Sequence, residues 1–149
     1  MEPLIKGIDM TVTAKQAFDK FGDPTTEKHM VLYDIPAHME LGAIPKRVYC
    51  NRLLMPLLNQ AFLNIIERDL VDEVKTWDGC FHIRKQRGSL LSLSLHSWGL
   101  AIDINASWNR LGQKPTMSPA LVKCFTDAGF EWGGNWKRPD GMHFQIAKL

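Results

Sequence analysis

The longest helical pattern lies in residues 51–68. Leu54, Leu58 and Phe62 recur there at spacings of four, which gathers apolar side chains into one stripe and predicts an amphipathic helix. Pro56 falls within its first turns and leaves the starting residue open.

Capping signals predict two shorter helices. One covers residues 13–21, with Thr13 as the N-cap. The other begins at Ser118, with Pro119 in the first helical position, and runs to about residue 128.

Two segments alternate apolar and polar residues as half-buried strands do. In residues 100–104, Asp103 lies on the face opposite three aliphatic side chains. In residues 138–146, His143 and Gln145 lie opposite the apolar positions. If these strands pair, Asp103 and His143 share one face of a sheet.

The remaining patterns are shorter. Residues 30–33 and 81–83 are strand candidates, residues 36–45 are bounded by prolines and should be irregular, and residues 88–91 should form a loop. Without regular βαβ alternation, the pattern predicts an α+β fold with a small antiparallel sheet flanked by helices. The length favours a single domain over residues 1–149.

Composition excludes several functional classes. Eighteen basic and sixteen acidic residues give a net charge of +2 without blocks of like charge, so neither nucleic acid nor a membrane surface is an expected partner. No apolar run is long enough to cross a membrane. Residues 1–10 lack the pattern of a secretory signal, which predicts synthesis in a cytoplasm. Three widely spaced cysteines without a CxxC motif favour reduced, buried thiols.

The candidate chemistry comes from joining the two alternating strands to the turn before the first one. His96 lies in that turn, and Gly99 allows the backbone to bend. Two imidazoles and the Asp103 carboxylate could then bind one zinc ion, with a fourth position left for water. Asp140, three residues before His143 in a Pro-Asp-Gly turn, could accept the proton of that water.

Each piece has a plain structural interpretation when taken alone. A single His-x6-Asp pair arises readily by chance, and a lone histidine on a strand is more often a packed or solvent-facing residue. The conjunction is harder to explain by packing, because two strands alternate around polar residues and a carboxylate precedes the second histidine by three positions.

These residues resemble a known family. Residues 94–103 reproduce the SxHxxGxAxD signature of the zinc D-Ala-D-Ala carboxypeptidase and L-Ala–D-Glu endopeptidase family, and residues 140–143 supply its carboxylate followed at plus three by histidine. The stretches GFEWGGNW, residues 129–136, and CFHIRKQRGS, residues 80–89, look like the phage endolysin branch. The resemblance implies a fold like that of the hedgehog signalling domains and D-Ala-D-Ala peptidases.

The resemblance also implies roles for individual residues. His96, Asp103 and His143 would bind one Zn²⁺, and Asp140 would be the general base. An upstream arginine would contact the substrate; Arg84 is the first candidate, and Arg87 is the second.

Two further residues are candidates for substrate binding. Ser94 would contact the substrate or orient His96. Trp98, with Trp132 and Trp136, would line a substrate groove or pack in the core.

Asp140 stands where the carboxypeptidase and dipeptidase branches usually carry glutamate. Aspartate resembles the endopeptidase branch, which implies cleavage between L-Ala and D-Glu of peptidoglycan stem peptides by a monomeric phage endolysin. Such an enzyme would reach the periplasm through a holin lesion. The alternatives are a D-Ala-D-Ala carboxypeptidase, and a non-catalytic or virion-associated wall-binding protein with the same fold.

Overall fold

Three α-helices and two antiparallel sheets form the part of the chain that the computed structural model describes, residues 11–84 and 93–149. This arrangement confirms the predicted α+β class. The loop predicted at residues 88–91 lies outside the described residues. Within the described ranges, no helix combines the length and apolar character that crossing a bilayer requires.

Helix α1 (Ala14–Phe21) is capped as its sequence predicts. The Thr13 hydroxyl accepts the N–H of Gln16 at 3.2 Å, and the Gln16 side chain accepts the N–H of Thr13 at 2.9 Å. This reciprocal pair satisfies two backbone donors that the first helical turn leaves without partners.

Helix α2 (Leu54–Glu67) buries the predicted stripe, and Leu54, Leu58 and Phe62 are fully buried. It begins three residues after the predicted segment does, because Asn51 belongs to a strand. Pro56 is accommodated as the third helical residue, where a backbone N–H needs no partner within the helix.

Helix α3 (Pro119–Thr126) starts at the predicted place and ends about two residues earlier than predicted. The Ser118 hydroxyl caps it by accepting the N–H of Leu121 at 3.1 Å. The buried Asn64 amide of α2 donates to the carbonyl of Cys124 at 2.9 Å, so one hydrogen bond joins α2 to α3. The three cysteines are free and buried.

The smaller sheet pairs β1 (Met30–Asp34) with β2 (Arg47–Asn51). The first strand was predicted, and the second was not. Its pattern of exposed Arg47, buried Val48 and exposed Tyr49 is a short alternation that a five-residue window makes easy to miss. Between the two strands, residues 36–45 form no helix or strand, as predicted.

The larger sheet carries the candidate site. Its strands are β3 (Trp77–Gly79), β4 (Ala101–Ile104), β5 (Phe130–Trp132) and β6 (His143–Ile146), in the spatial order β3-β4-β6-β5. All neighbours are antiparallel.

The strand predicted at residues 81–83 is wrong. The chain leaves the sheet after Gly79, where φ is +123° and the β3–β4 register shifts. The following backbone bonds to the turn containing His96 instead: the N–H of His82 donates to the carbonyl of His96, at 3.1 Å.

The two central strands separate an apolar face from a polar one. Ile102, Ile104 and Phe144 are buried on the apolar side, and Phe144 stacks on Phe125 of α3 with ring centroids 4.4 Å apart. On the polar side, β4 and β6 pair in the register that sets Asp103 directly opposite His143.

Candidate metal centre and active-site cleft

His96 lies on a single 3₁₀ turn, Leu95–Trp98, whose ends are fixed by its neighbours. The Ser94 hydroxyl accepts the N–H of His96 at 3.2 Å. Gly99 ends the turn with φ at +66°, and a Cβ there would lie 2.7 Å from the backbone nitrogen of Asn51. Only glycine fits this position, and the tight turn delivers the chain directly into β4.

The structure brings His96, Asp103 and His143 together. Asp103 Oδ1 lies 3.2 Å from Nε2 of His96 and 3.3 Å from Nδ1 of His143. All three side chains are buried, and one ligand atom from each lies within 4.8 Å of the others. The cluster joins the 3₁₀ turn to both central strands.

The chemistry of this cluster fits a zinc ion. The Nδ1 atom of His96 lies 2.7 Å from the carbonyl oxygen of Cys80, which can only accept, so Nδ1 carries the proton. Nε2 of His96 is buried and has no hydrogen-bond partner in the described structure. Two atoms bound tetrahedrally to zinc at about 2.0–2.1 Å lie about 3.3–3.4 Å apart, close to the separations of Asp103 Oδ1 from the two ring nitrogens.

The cluster's electrostatics favour a bound cation. Burial opposes the charge on Asp103, but the adjacent imidazoles of His143 and His96 outweigh it and hold the pKa of this carboxyl well below its usual range. Burial alone would lower the pKa of His143, but the hydrogen bond to Asp103 and the charge of Asp103 raise it. A proton on Nδ1 of His143 would therefore compete with a metal ion, so acid should release the metal.

Asp140 lies in the turn that leads into β6. Its N–H donates to the carbonyl of Gly133 at 2.8 Å, and its carbonyl accepts the N–H of His143 at 3.1 Å. The charge of Asp140 contributes to the raised pKa of His143. Asp140 lines the same cavity as His96 and His143.

The segment before this turn supports Asp140 through close backbone packing. A Cβ on Gly133 would lie 2.7 Å from the carbonyl oxygen of Asp140 and 3.2 Å from its Cβ. The indole of Trp132 donates to the carbonyl of Gly141 at 2.8 Å. The glycine and the tryptophan thus hold both sides of the turn that presents Asp140.

We expect Gly133→Ala to displace this turn. Overpacking at such a contact costs about 1–3 kcal/mol of folding free energy. If Asp140 is the general base that the sequence resemblance implies, the rate of peptide cleavage should fall by more than this loss of stability explains, because Asp140 moves. Thermal unfolding and a lysis assay on purified peptidoglycan would measure the two effects. Asn135→Ala, at an exposed position two residues away, is the control, and equal activity in both variants would contradict this role for Gly133.

Arg84 lies beside the metal ligands. Its Nη2 is 3.3 Å from Asp103 Oδ2, and its Nε is buried without a hydrogen-bond partner among the described residues. Its backbone is fixed by Ser97, whose hydroxyl accepts the N–H of Arg84 and donates to its carbonyl, both at 3.1 Å. Arg87, the other candidate, lies outside the described residues.

Two cavities meet at Arg84 and Leu111. The first encloses about 230 Å³ and is lined by His96, Asp140 and His143. The second has Asp103 and Arg110 in its wall. The candidate metal centre therefore borders two cavities that share Arg84 and Leu111 in their walls.

The other predicted substrate contacts have different outcomes. Ser94 lines the first cavity and also caps the turn of His96, so both predicted roles are compatible with its place. The expected substrate contact of Trp98 is corrected: this side chain is 1% exposed and its indole donates to the carbonyl of Gly22, at 2.8 Å, inside the core. Trp136 lines the first cavity, whereas Trp132 packs against Phe144.

Several residues around the centre were not predicted from the sequence. Gln145 and Arg138 line the first cavity, and the backbone carbonyl of Cys80 holds the ring of His96. The alternation of β6 placed Gln145 on the face of His143, which was a usable signal. The other two depend on long-range packing that no local pattern carries.

Comparison with known proteins supports the chemistry of the site. Residues 87–146 match the family model described as D-alanyl-D-alanine carboxypeptidase, which supports the resemblance found in the sequence. The matched segment contains the three ligand candidates and Asp140 but not Arg84. No curated protein and no solved structure matches the chain. The match and the buried His-Asp-His cluster together support a zinc metallopeptidase.

Proposed function

We propose that this protein is a zinc-dependent L-alanyl-D-glutamate endopeptidase of bacterial peptidoglycan that acts as a phage endolysin. The observation that carries the proposal is the convergence of His96, Asp103 and His143 beside the cavity that Asp140 lines together with the two histidines. A metal site with a free position, beside a carboxylate, is the arrangement that metal-assisted peptide hydrolysis needs.

Each residue of the site has a distinct task in this proposal. A zinc ion held by His96, Asp103 and His143 would lower the pKa of a water molecule and polarise the scissile carbonyl. Asp140 takes the proton of the attacking water and passes it to the leaving amine, so the same carboxyl acts first as base and then as acid.

Arg84 suits the acidic character of the substrate. Stem peptides carry several carboxylates, and a guanidinium can bind a carboxylate or a developing oxyanion through paired hydrogen bonds. The buried Nε of Arg84 offers such a donor beside the metal ligands. Arg138, exposed in the wall of the same cavity, adds a second positive charge.

The two neighbouring cavities favour internal cleavage over removal of a terminal residue. A cavity beside the two histidines and a second one beside Asp103, with Arg84 in the walls of both, offer room for peptide before and after the scissile bond. A carboxypeptidase must instead accommodate only one terminal residue beyond that bond. The D-Ala-D-Ala carboxypeptidase remains the second candidate, because the matched family carries that description.

Product analysis distinguishes the two activities. Digestion of purified peptidoglycan followed by mass spectrometry should reveal peptides with a new free amine on D-glutamate. Release of free D-alanine, with the L-Ala–D-Glu bond intact, would establish the carboxypeptidase instead. No cleavage by the zinc-loaded protein would favour a wall-binding protein with the same fold.

We further propose that the protein is made in the host cytoplasm and acts on peptidoglycan in the periplasm as a monomer. The proposal rests on the endolysin role proposed above, which requires the enzyme to reach peptidoglycan on the far side of the inner membrane. Expression in a Gram-negative host should cause lysis only together with a holin. Equal lysis without the holin would contradict this route.

A further inference from the structure

Gln145 is a buried polar residue on β6 that touches the candidate metal centre without belonging to it. Its side-chain oxygen lies 2.9 Å from Nε2 of His143, and the residue is 4% exposed. Its amide nitrogen lies 3.4 Å from the carbonyl oxygen of Val12, a longer contact. Both ends of the carboxamide therefore have defined partners.

The partners determine which way the amide faces. The carbonyl of Val12 can only accept, so the amide nitrogen of Gln145 faces it and the amide oxygen faces His143. Because that oxygen can also only accept, Nε2 of His143 must carry a proton. In the neutral imidazole, Nδ1 then has the free electron pair, and Nδ1 is the atom that lies 3.3 Å from Asp103 Oδ1.

Each histidine of the centre is thus oriented by an oxygen that accepts a hydrogen bond from one ring nitrogen. This nitrogen is Nδ1 in His96 and Nε2 in His143. The main-chain carbonyl of Cys80 takes the proton of Nδ1 in His96, which leaves Nε2 for the metal. The side chain of Gln145 takes the proton of Nε2 in His143, which leaves Nδ1. Only the second acceptor can be removed by substitution.

A purely structural role explains Gln145 less well. Burying an amide is costly unless it is hydrogen-bonded. The fully buried Ala101, opposite Gln145 on β4, has no side-chain group that could accept or donate such a bond. Trp136 contacts His143 with ring centroids 5.4 Å apart, so the imidazole is held by an aromatic ring as well as by the hydrogen bond to Gln145.

We propose that Gln145 is a positioning residue of the metal centre, which selects the tautomer and fixes the ring orientation in which Nδ1 of His143 binds the metal. This inference rests on the proposed zinc site and extends it by one residue. Hydrogen-bond partners of metal ligands typically contribute 10–100-fold in metal affinity, and we expect an effect of that size.

Two substitutions distinguish the effect of the Gln145 acceptor oxygen from the effect of its side-chain volume. Gln145→Met keeps the length of the side chain and removes the acceptor, so zinc affinity, measured by chelator competition, should fall about 10–100-fold. Gln145→Glu keeps an acceptor oxygen and should bind zinc at least as tightly as the wild type. Gln60→Met is the control, because it makes the same change at an exposed position of α2; its zinc affinity should not change.

The tautomer can be read directly in the wild-type protein, even if Gln145→Met fails to fold. In ¹⁵N-detected imidazole spectra of the metal-free protein above the pKa of His143, the proton should reside on Nε2. A proton on Nδ1 would overturn the proposal, as would unchanged zinc affinity in a folded Gln145→Met variant. If the wild type bound no zinc, the proposed function itself would fail, a result distinct from either of these.

Discussion

Replacing Asp140 by alanine should lower the rate of peptidoglycan cleavage at least ~100-fold while zinc binding is retained. The three ligand candidates do not include Asp140, so the metal centre should survive. What is lost is the carboxyl that moves a proton between the attacking water and the leaving amine. The pairing of lost activity with retained metal is the diagnostic feature of this variant.

Two companion variants sharpen the interpretation. Asp140→Asn preserves the shape of the turn but cannot accept the proton, so it should be as inactive as the alanine variant. Asp140→Glu restores a carboxyl and should recover part of the activity. Turnover of a muropeptide substrate and zinc content would be measured for each, and wall lysis at the wild-type rate by Asp140→Ala would refute the assignment.

Asp103→Asn should abolish both zinc binding and activity. Asp103 is the only carboxylate of the cluster, and its Oδ1 lies within 3.3 Å of both ring nitrogens. The amide keeps the volume but removes the negative charge that balances the cation. Affinity should therefore fall by more than the 10–100-fold typical for loss of a ligand's hydrogen-bond partner.

Asp78→Asn is the matched control for this variant. Asp78 is a carboxylate in the wall of the second cavity, and its side chain bonds to Thr76 and to the backbone N–H of Ala106. We expect it to bind one zinc ion per chain, like the wild type. Full zinc binding by folded Asp103→Asn would show that the metal is held elsewhere.

Local sequence signals predicted the helices whose first residues are marked by capping side chains. The capping box at Thr13 and the Ser118-Pro119 pair mark helix starts through hydrogen bonds that residues close in sequence make. Strand candidates of three residues carry no comparable signal. Phe81 and Ile83 alternate like a strand, yet Ile83 is exposed and the actual strand ends at Gly79.

The candidate site was predictable because its residues interrupt apolar patterns that packing alone would have kept. Asp103 between two isoleucines, and His143 between a methionine and a phenylalanine, identify one polar face of a sheet. The role of Gly133 was not predictable, because it depends on an approach to Asp140 that only the folded chain creates. The burial of Trp98 likewise follows from its contact with Gly22, 76 residues away.

X-ray absorption at the zinc edge of the stoichiometrically loaded protein would show whether His96, Asp103 and His143 hold the metal. It reports the atoms bound to the metal, independently of any activity. Zinc held by His96, Asp103 and His143 should show nitrogen and oxygen neighbours at about 2.0–2.1 Å and the outer-shell scattering of two imidazoles. That scattering should fall to one imidazole in whatever zinc His143→Ala still binds. A sulfur shell at about 2.3 Å, which would identify cysteine ligands, or an unchanged spectrum in that variant would contradict this assignment.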